Sequence, residues 1–214
     1  MGMPLAIRLG YHTGAVNDTA ADHTAVRVDP DATLVSRAVA GEYDAFEALV
    51  QKYRNDVYAL SYHYVRNREE AWDLSQEVFV KVHRNLKRFR GDSSFKTWLL
   101  RITSNQCKDF FKKRRLKTVA LESMEGPAAD PPATSQRPDE DLAAKELGEA
   151  IQEALSTLPE KHRNAIILRE YQGLSYEAMA EVMECSMGTV MSRLHHARKK
   201  MQKALLAMGI AGDK

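Results

Sequence analysis

The chain has 214 residues, with 31 lysines and arginines against 29 aspartates and glutamates, so its formal net charge is only +2. Apolar residues make up 44% and charged residues 28%, which fits one or two small globular domains and excludes wholesale disorder. Two cysteines, Cys107 and Cys185, cannot staple a scaffold and point to a reducing, cytoplasmic setting. No apolar run reaches the roughly 18–20 residues of a membrane span, so direct membrane insertion is not expected.

Residues 1–30 show no sustained period and read as a flexible arm without the apolar core of a signal peptide. From Ala32 the spacing turns helical. Leu34, Val35, Ala38 and Val39 recur at three and four, and Gly41 ends the element. Further helices are predicted over about 44–64, 69–86 and 94–115, with the turn-rich loop Lys87–Ser93 between the last two. Residues 118–138 read as an acidic, proline-rich linker, since 126–138 hold four of the seven prolines. Helices resume near Asp139 and continue to about 208, followed by a short tail at 209–214. No β-like alternation of useful length occurs. The predicted class is all-α: two small helical domains, 31–117 and 139–208, joined by the linker.

The small net charge hides strong local imbalance. Residues 81–117 carry thirteen basic side chains against Asp92 and Asp109, a local +11; residues 118–141 sum to −5; residues 188–203 hold five basic side chains and no acid. One charge run is usually a solvated face, but two basic islands on predicted helices point to nucleic acid.

In the C-terminal domain, Ser175 can cap a helix whose apolar stripe is Ala178, Met179 and Val182. Glu184-Cys185-Ser186 makes a tight connection, and Ser186 caps a second helix. There Met187, Val190, Leu194, Ala197 and Met201 share the inner face, opposite Thr189, Ser192, His196, Lys199 and Lys203. This is a helix-turn-helix layout, with an ordinary helical hairpin carrying a solvated outer face as the alternative. His195 and His196 point about 100° apart on a helix and have no third ligand at useful spacing, so no metal is expected. Cys185 reads as a small buried turn residue.

In the N-terminal domain, Phe95, Leu99, Ile102, Thr103, Gln106 and Phe110 share one face of the 94–115 helix. Thr97, Arg101, Ser104, Lys108, Lys112 and Arg115 share the other, a stripe suited to a phosphate backbone. Phe89 among Lys87, Arg88 and Arg90 suits an unstacked base, with core packing as the alternative. Trp98 reads from its pattern as core. On the preceding helix Ala71, Leu74, Val78 and Val82 face inward. Asp73, Gln76, Val80 and Arg84 lie outward with Glu77 at the edge, an apolar centre with a polar rim like a protein-docking face, with a plain solvent face as the alternative.

The run DLSQEVFVKVHRNLKRFRGDSSFKTWLLRITSNQCKDFFKKRR resembles region 2 of bacterial RNA polymerase sigma factors, and LPEKHRNAIILREYQGLSYEAMAEVMECSMGTVMSRLHHARKKM resembles region 4. With only a linker between them, the chain resembles the extracytoplasmic-function (ECF, group 4) sigma factors of the sigma-70 superfamily over about 32–117 and 139–206. The resemblance implies a non-catalytic specificity subunit without a cofactor. It places Asp73, Leu74, Gln76, Glu77, Phe79 and Val80 in the motif that holds the β′ clamp helices of core RNA polymerase. It places Arg88, Phe89, Arg90, Ser93, Trp98, Arg101, Asn105, Lys108, Lys112 and Arg115 at the single-stranded −10 element. Ser186, Gly188, Thr189, Met191, Ser192, Arg193, His195, His196 and Lys199 fall at the −35 duplex, with region 4 also touching the β flap. Met191 and His196 stand where many relatives carry arginine, so the usual −35 sequence does not carry over. The resemblance also implies an anti-sigma factor as partner, which no residue identifies, and a stress regulon. An independent helix-turn-helix activator would need a sensor domain, and no βαβ pattern exists. An enzyme would need a motif such as GxGxxG, HExxH or a nucleophile elbow, and none is present.

Overall fold

In the computed structural model, residues 29–121 and 142–210 are described, with side chains over 29–114 and 146–210. Those residues form helices and turns, with no strand among them. The helices are α1 (Ala32–Val39), α2 (Tyr43–Val65), α3 (Arg68–Asn85), α4 (Phe95–Leu121), α5 (Leu142–Ser156), α6 (Glu160–Ile166), α7 (Tyr176–Met183) and α8 (Met187–Ala207). They belong to two compact units, the first built on α1–α4 and the second on α5–α8. No helix among the described residues is long and apolar enough to cross a membrane.

The first unit packs α1, α3 and α4 around the long α2. Its core holds Leu49, Val57, Val78, Val82, Phe95 and Leu99, all at or below 1% exposure. These side chains recur at the three-and-four spacing that defines a helix's inner stripe. Two carboxylates fasten the chain entering α1. Asp31, 1% exposed, accepts hydrogen bonds from the Tyr53 hydroxyl and Lys52 Nζ. Asp29 Oδ2 accepts from the Phe95 amide at 2.7 Å, satisfying one of the orphan donors at the start of α4. These contacts tie the end of the predicted arm into the core; residues before 29 lie outside the described ones.

Helix α4 runs to Leu121, past the predicted linker start at 118. The physical reason is that no glycine or proline occurs between Phe95 and Gly126 to break it. The rest of the predicted linker, and the tail beyond 210, lie outside the described residues.

In the second unit, α6 follows Pro159, which stands at its N-cap. The helix widens into a π turn over Ile167–Tyr171, where the Gln172 amide reaches the Ile167 carbonyl at 3.1 Å. Gly173 ends it at φ +67°, a conformation that favours glycine. Ile166, Ile167, Leu168, Met179, Val182, Val190, Leu194 and Met201 form the core, each at most 2% exposed.

Candidate docking and nucleic-acid interfaces

Helix α3 is launched by Asn67, whose Oδ1 accepts from the Glu70 amide at 3.0 Å, with Glu69 and Glu70 complementing the dipole in the first turn. Ala71, Leu74, Val78 and Val82 are buried as predicted, which turns Asp73, Gln76, Glu77 and Val80 outward, Val80 at 50% exposure. Leu74 is a correction to the predicted contact set. At 2% exposure it belongs to the inner stripe and holds the face in place from behind. Phe79 is half-buried and packs on the core edge.

Glu77 does not swing freely. Gln106 Nε2 on α4 donates to its Oε2 at 2.7 Å, while Lys81 Nζ donates to Gln106 Oε1 at 3.0 Å. This brace makes Gln106, which shares a helix face with Phe95 and Leu99, a surface link between α3 and α4. Trp72 was missed by the sequence reading. It is 59% exposed on the same face, edge-on to Tyr58 at 6.5 Å, and Tyr58 stacks on Tyr62 at 6.2 Å. A large aromatic one position from the inner stripe, beside Asp73, was the available signal.

The loop between α3 and α4 opens with a 3-10 turn, Leu86–Arg88, anchored by buried Leu86. Gly91 turns it at φ +77°. Lys87, Arg88 and Arg90 project into solvent and Ser93 is half-buried. Ser94 Oγ accepts from the Thr97 amide at 3.2 Å and so begins α4. Phe89 is half-buried, 5.2 Å from the Trp98 ring and 6.0 Å from Phe95. Trp98 itself is 9% exposed, so core packing prevails for it and it offers no open platform for a base.

The basic stripe on α4 is also narrower than its spacing implies. Thr97 and Ser104 are buried, at 4% and 3% exposure, Ser104 sharing a hydrogen bond of 2.8 Å with the Tyr64 hydroxyl. Arg101 and Asn105 are half-buried, and Lys108 and Lys112 are exposed. Asn105 Oδ1 accepts from Lys108 Nζ at 3.2 Å. The side chain of Arg115 lies outside the described residues. Several cations of this island are paired internally: Lys96 with Asp56 at 3.1 Å and Arg114 with Glu70 at 3.2 Å. Helix α4 is enclosed because α2 and α3 both pack on it, leaving only its C-terminal half and one edge open. Cys107 lies in that enclosed stretch, and burial pushes its thiol pKa up to about 12, against a weaker opposing contact from Ser61.

In the second unit, Ser175 Oγ accepts from the Ala178 amide at 3.2 Å, starting α7. Glu184 takes a left-handed conformation, φ 52°, in the tight turn. Ser186 caps α8 by accepting from the Thr189 amide at 3.3 Å. The helix-turn-helix layout is thus present with both predicted caps. Val190, Leu194, Ala197 and Met201 are buried as predicted; Met187, in the first turn of α8, is not, at 42% exposure. Gly188, Met191, Ser192, His195, His196 and Lys199 are exposed, and Thr189 is half-buried.

Arg193 departs from its predicted place. It is half-buried, and its Nη1 donates to Cys185 Sγ at 3.4 Å, inside the turn; Cys185 is itself half-buried rather than buried. Arg198 pairs with Glu170 at 2.9 Å. Burial opposes its charge, but the bond and field of Glu170 outweigh that and raise its pKa. His196 lies 5.5 Å from His195 and 6.2 Å from His162, ring to ring, a third histidine that sequence spacing did not bring near. Burial, aided by the charges of Lys200, His196 and Arg193, pushes the His162 pKa down. No group of three or more metal-ligating side chains with suitable geometry occurs among the described residues.

Comparison with known proteins fits this arrangement. A family model described as Sigma-70 region 2 matches residues 49–117, and one described as Sigma-70, region 4 matches 148–201. The chain is 38% identical over 182 residues to the RNA polymerase sigma-H factor of Pseudomonas aeruginosa, covering 83% of this chain and 94% of that one. It is 37% identical over 174 residues to the ECF RNA polymerase sigma-E factor of Escherichia coli K12, covering 79% and 91%. Among solved structures, the sigma factor RpoE of Bartonella quintana, crystallised with the anti-sigma factor NepR, matches at TM-score 0.63 and 25% identity over 75% of this chain and 96% of that one. With both regions matched in order and near-full-length identity to named members, the chain belongs to the ECF sigma factors, the non-catalytic specificity subunits of bacterial RNA polymerase.

Proposed function

We propose that this sigma factor attaches to core RNA polymerase through the outer face of α3 and directs it to promoters by reading two DNA elements. Asp73, Gln76, braced Glu77 and Val80, with Trp72 beside them, meet the β′ clamp helices. The loop carrying Arg88, Phe89, Arg90 and Ser93, together with Arg101, Asn105, Lys108 and Lys112, holds the unpaired −10 strand. Helix α8 enters the major groove of the −35 duplex, and the second unit also touches the β flap. The working modules are 31–117 and 139–208, acting in the cytoplasm on a stress regulon. An anti-sigma factor controls them, as one binds the Bartonella relative.

The observation that supports this reading is the pairing of two differently built surfaces. One is an acidic and apolar helix face with no use as a phosphate binder. The other is a capped helix with a polar, basic outer side. Melting a duplex costs on the order of 1.4 kcal/mol per base step; capture of unpaired bases within a polymerase complex offsets part of it. The acidic linker avoids DNA and follows a basic channel of the polymerase. Run-off transcription with sigma-free core polymerase tests the assignment: the protein should confer promoter-specific initiation, and failure to bind core would refute it. Neutralising the linker acids should weaken assembly or initiation, and unchanged assembly and transcription would reject that part.

A further inference from the structure

We propose that α8 reads its −35 duplex through thymine C5-methyl groups contacted by Met191, and not through arginine–guanine pairs. The inference rests on the −35 assignment given above and names the base chemistry that the assignment leaves open.

A recognition helix reads base edges with side chains of its N-terminal turns. Those turns of α8 present Met187, Gly188, Met191, Ser192 and His195 to solvent. None carries a fixed charge. The one cation there, Arg193, is turned into the tight connection and held by Cys185 Sγ at 3.4 Å. The next, Arg198, is tied to Glu170 at 2.9 Å. A bidentate grip on guanine O6 and N7 needs a free guanidinium or ammonium reaching the groove from these turns. The first exposed lysine is Lys199, three turns in.

What stands at the tip instead is apolar. Met191 is 44% exposed, although methionine is among the residues most often buried. No internal packing explains it, because Val190 and Leu194 fill the inner face. In the major groove the apolar group on offer is the thymine methyl, and a flexible, polarizable thioether suits it. Gly188 supports the same picture. It lies on the outer face at helical spacing from Met191 and Ser192, and a Cβ there would meet nothing within 4 Å. Glycine costs a helix about 0.5–1 kcal/mol relative to alanine. With no internal crowding to require it, its absent side chain leaves room for a close approach from outside. Ser192 then adds a hydroxyl that serves any base, so discrimination falls to Met191.

The test uses the reconstituted holoenzyme on a promoter located by run-off mapping. Each −35 thymine is replaced in turn by deoxyuridine, which removes only the methyl. At least one replacement should weaken promoter binding about three- to tenfold, on the scale of one buried methyl. Met191→Ala should abolish that sensitivity while core binding is unchanged. Full tolerance of every deoxyuridine, with base changes in the −35 duplex still harmful, would overturn the proposal alone. Indifference to scrambling the −35 duplex would overturn the −35 assignment as well. The deoxyuridine series needs no variant protein, so full tolerance of it overturns the proposal even where Met191→Ala folds poorly.

Discussion

Replacing Asp31 by alanine should lower the stability of the first unit by about 2–4 kcal/mol. Asp31 is 1% exposed and accepts from the hydroxyl of Tyr53, itself 5% exposed. Alanine leaves that hydroxyl buried and unpaired. A hydrogen bond to a charged group contributes roughly 1.5–3 kcal/mol. The Lys52 pair adds at most about 1 kcal/mol, because the lysine side chain is 46% exposed and screened by water. Tyr53→Phe removes the other partner, so the double variant should lose about 1–2 kcal/mol less than the two single losses combined. Urea unfolding of the full chain followed by tryptophan fluorescence is the assay. Both tryptophans, Trp72 and Trp98, lie in the first unit, so the signal reports that unit alone. A loss below 0.5 kcal/mol for Asp31→Ala, or strict additivity in the double variant, would refute the account of how the chain entering α1 is fastened.

Trp72→Ala should leave that unfolding midpoint nearly unchanged, since the ring is 59% exposed. It should weaken core polymerase binding about tenfold or more in a titration, as buried aromatic anchors do at interfaces. Ser186→Ala should cost the second unit about 1 kcal/mol by removing the cap of α8, seen as an earlier loss of helical circular dichroism on heating. Stability should also fall in alkali. Burial raises the Cys107 thiol from 9.0 to about 12, so only the unfolded chain ionises it across that range. The stabilisation is complete below pH 9 and shrinks as pH rises from there, and Tyr53, also raised, acts with the same sign. Cys107→Ala should flatten the decline in urea midpoint above about pH 9; an unchanged slope would assign it elsewhere.

Much of the fold was legible because helical periodicity and caps are local. The inner stripe of α3, that of α8 from Val190 onward, the caps at Ser175 and Ser186, and the end at Gly41 all followed from neighbours within four residues. What escaped depends on partners far along the chain. Thr97 and Ser104 fit a polar stripe on spacing alone, yet α2 covers that side and Tyr64 supplies the hydrogen bond. Leu74 falls in the run that the resemblance assigns to docking, but its angle on the helix places it in the core. Gln106 reaches the outer face of α3 through Glu77, 29 residues away. The resemblance to sigma regions carried the functional reading, because a helix-turn-helix by itself does not say which partner the other unit holds.

The charge islands show the same limit and refine the physical picture of α8. Counting residues 188–203 gives five cations and suggests a uniformly basic reader. In space, Arg193 closes the turn and Arg198 holds Glu170, which leaves Lys199, Lys200 and Lys203 as exposed cations outside those contacts, all beyond the midpoint of the helix. Phosphates attract cations without regard to sequence, whereas base edges are read by shape and hydrogen bonding. A helix with neutral N-terminal turns and a basic C-terminal half therefore separates the two tasks along its axis. On the −35 docking proposed above, phosphates would attract the lysine-bearing half of α8 while Gly188, Met191 and Ser192 face the base edges, so non-specific attraction would favour the reading orientation.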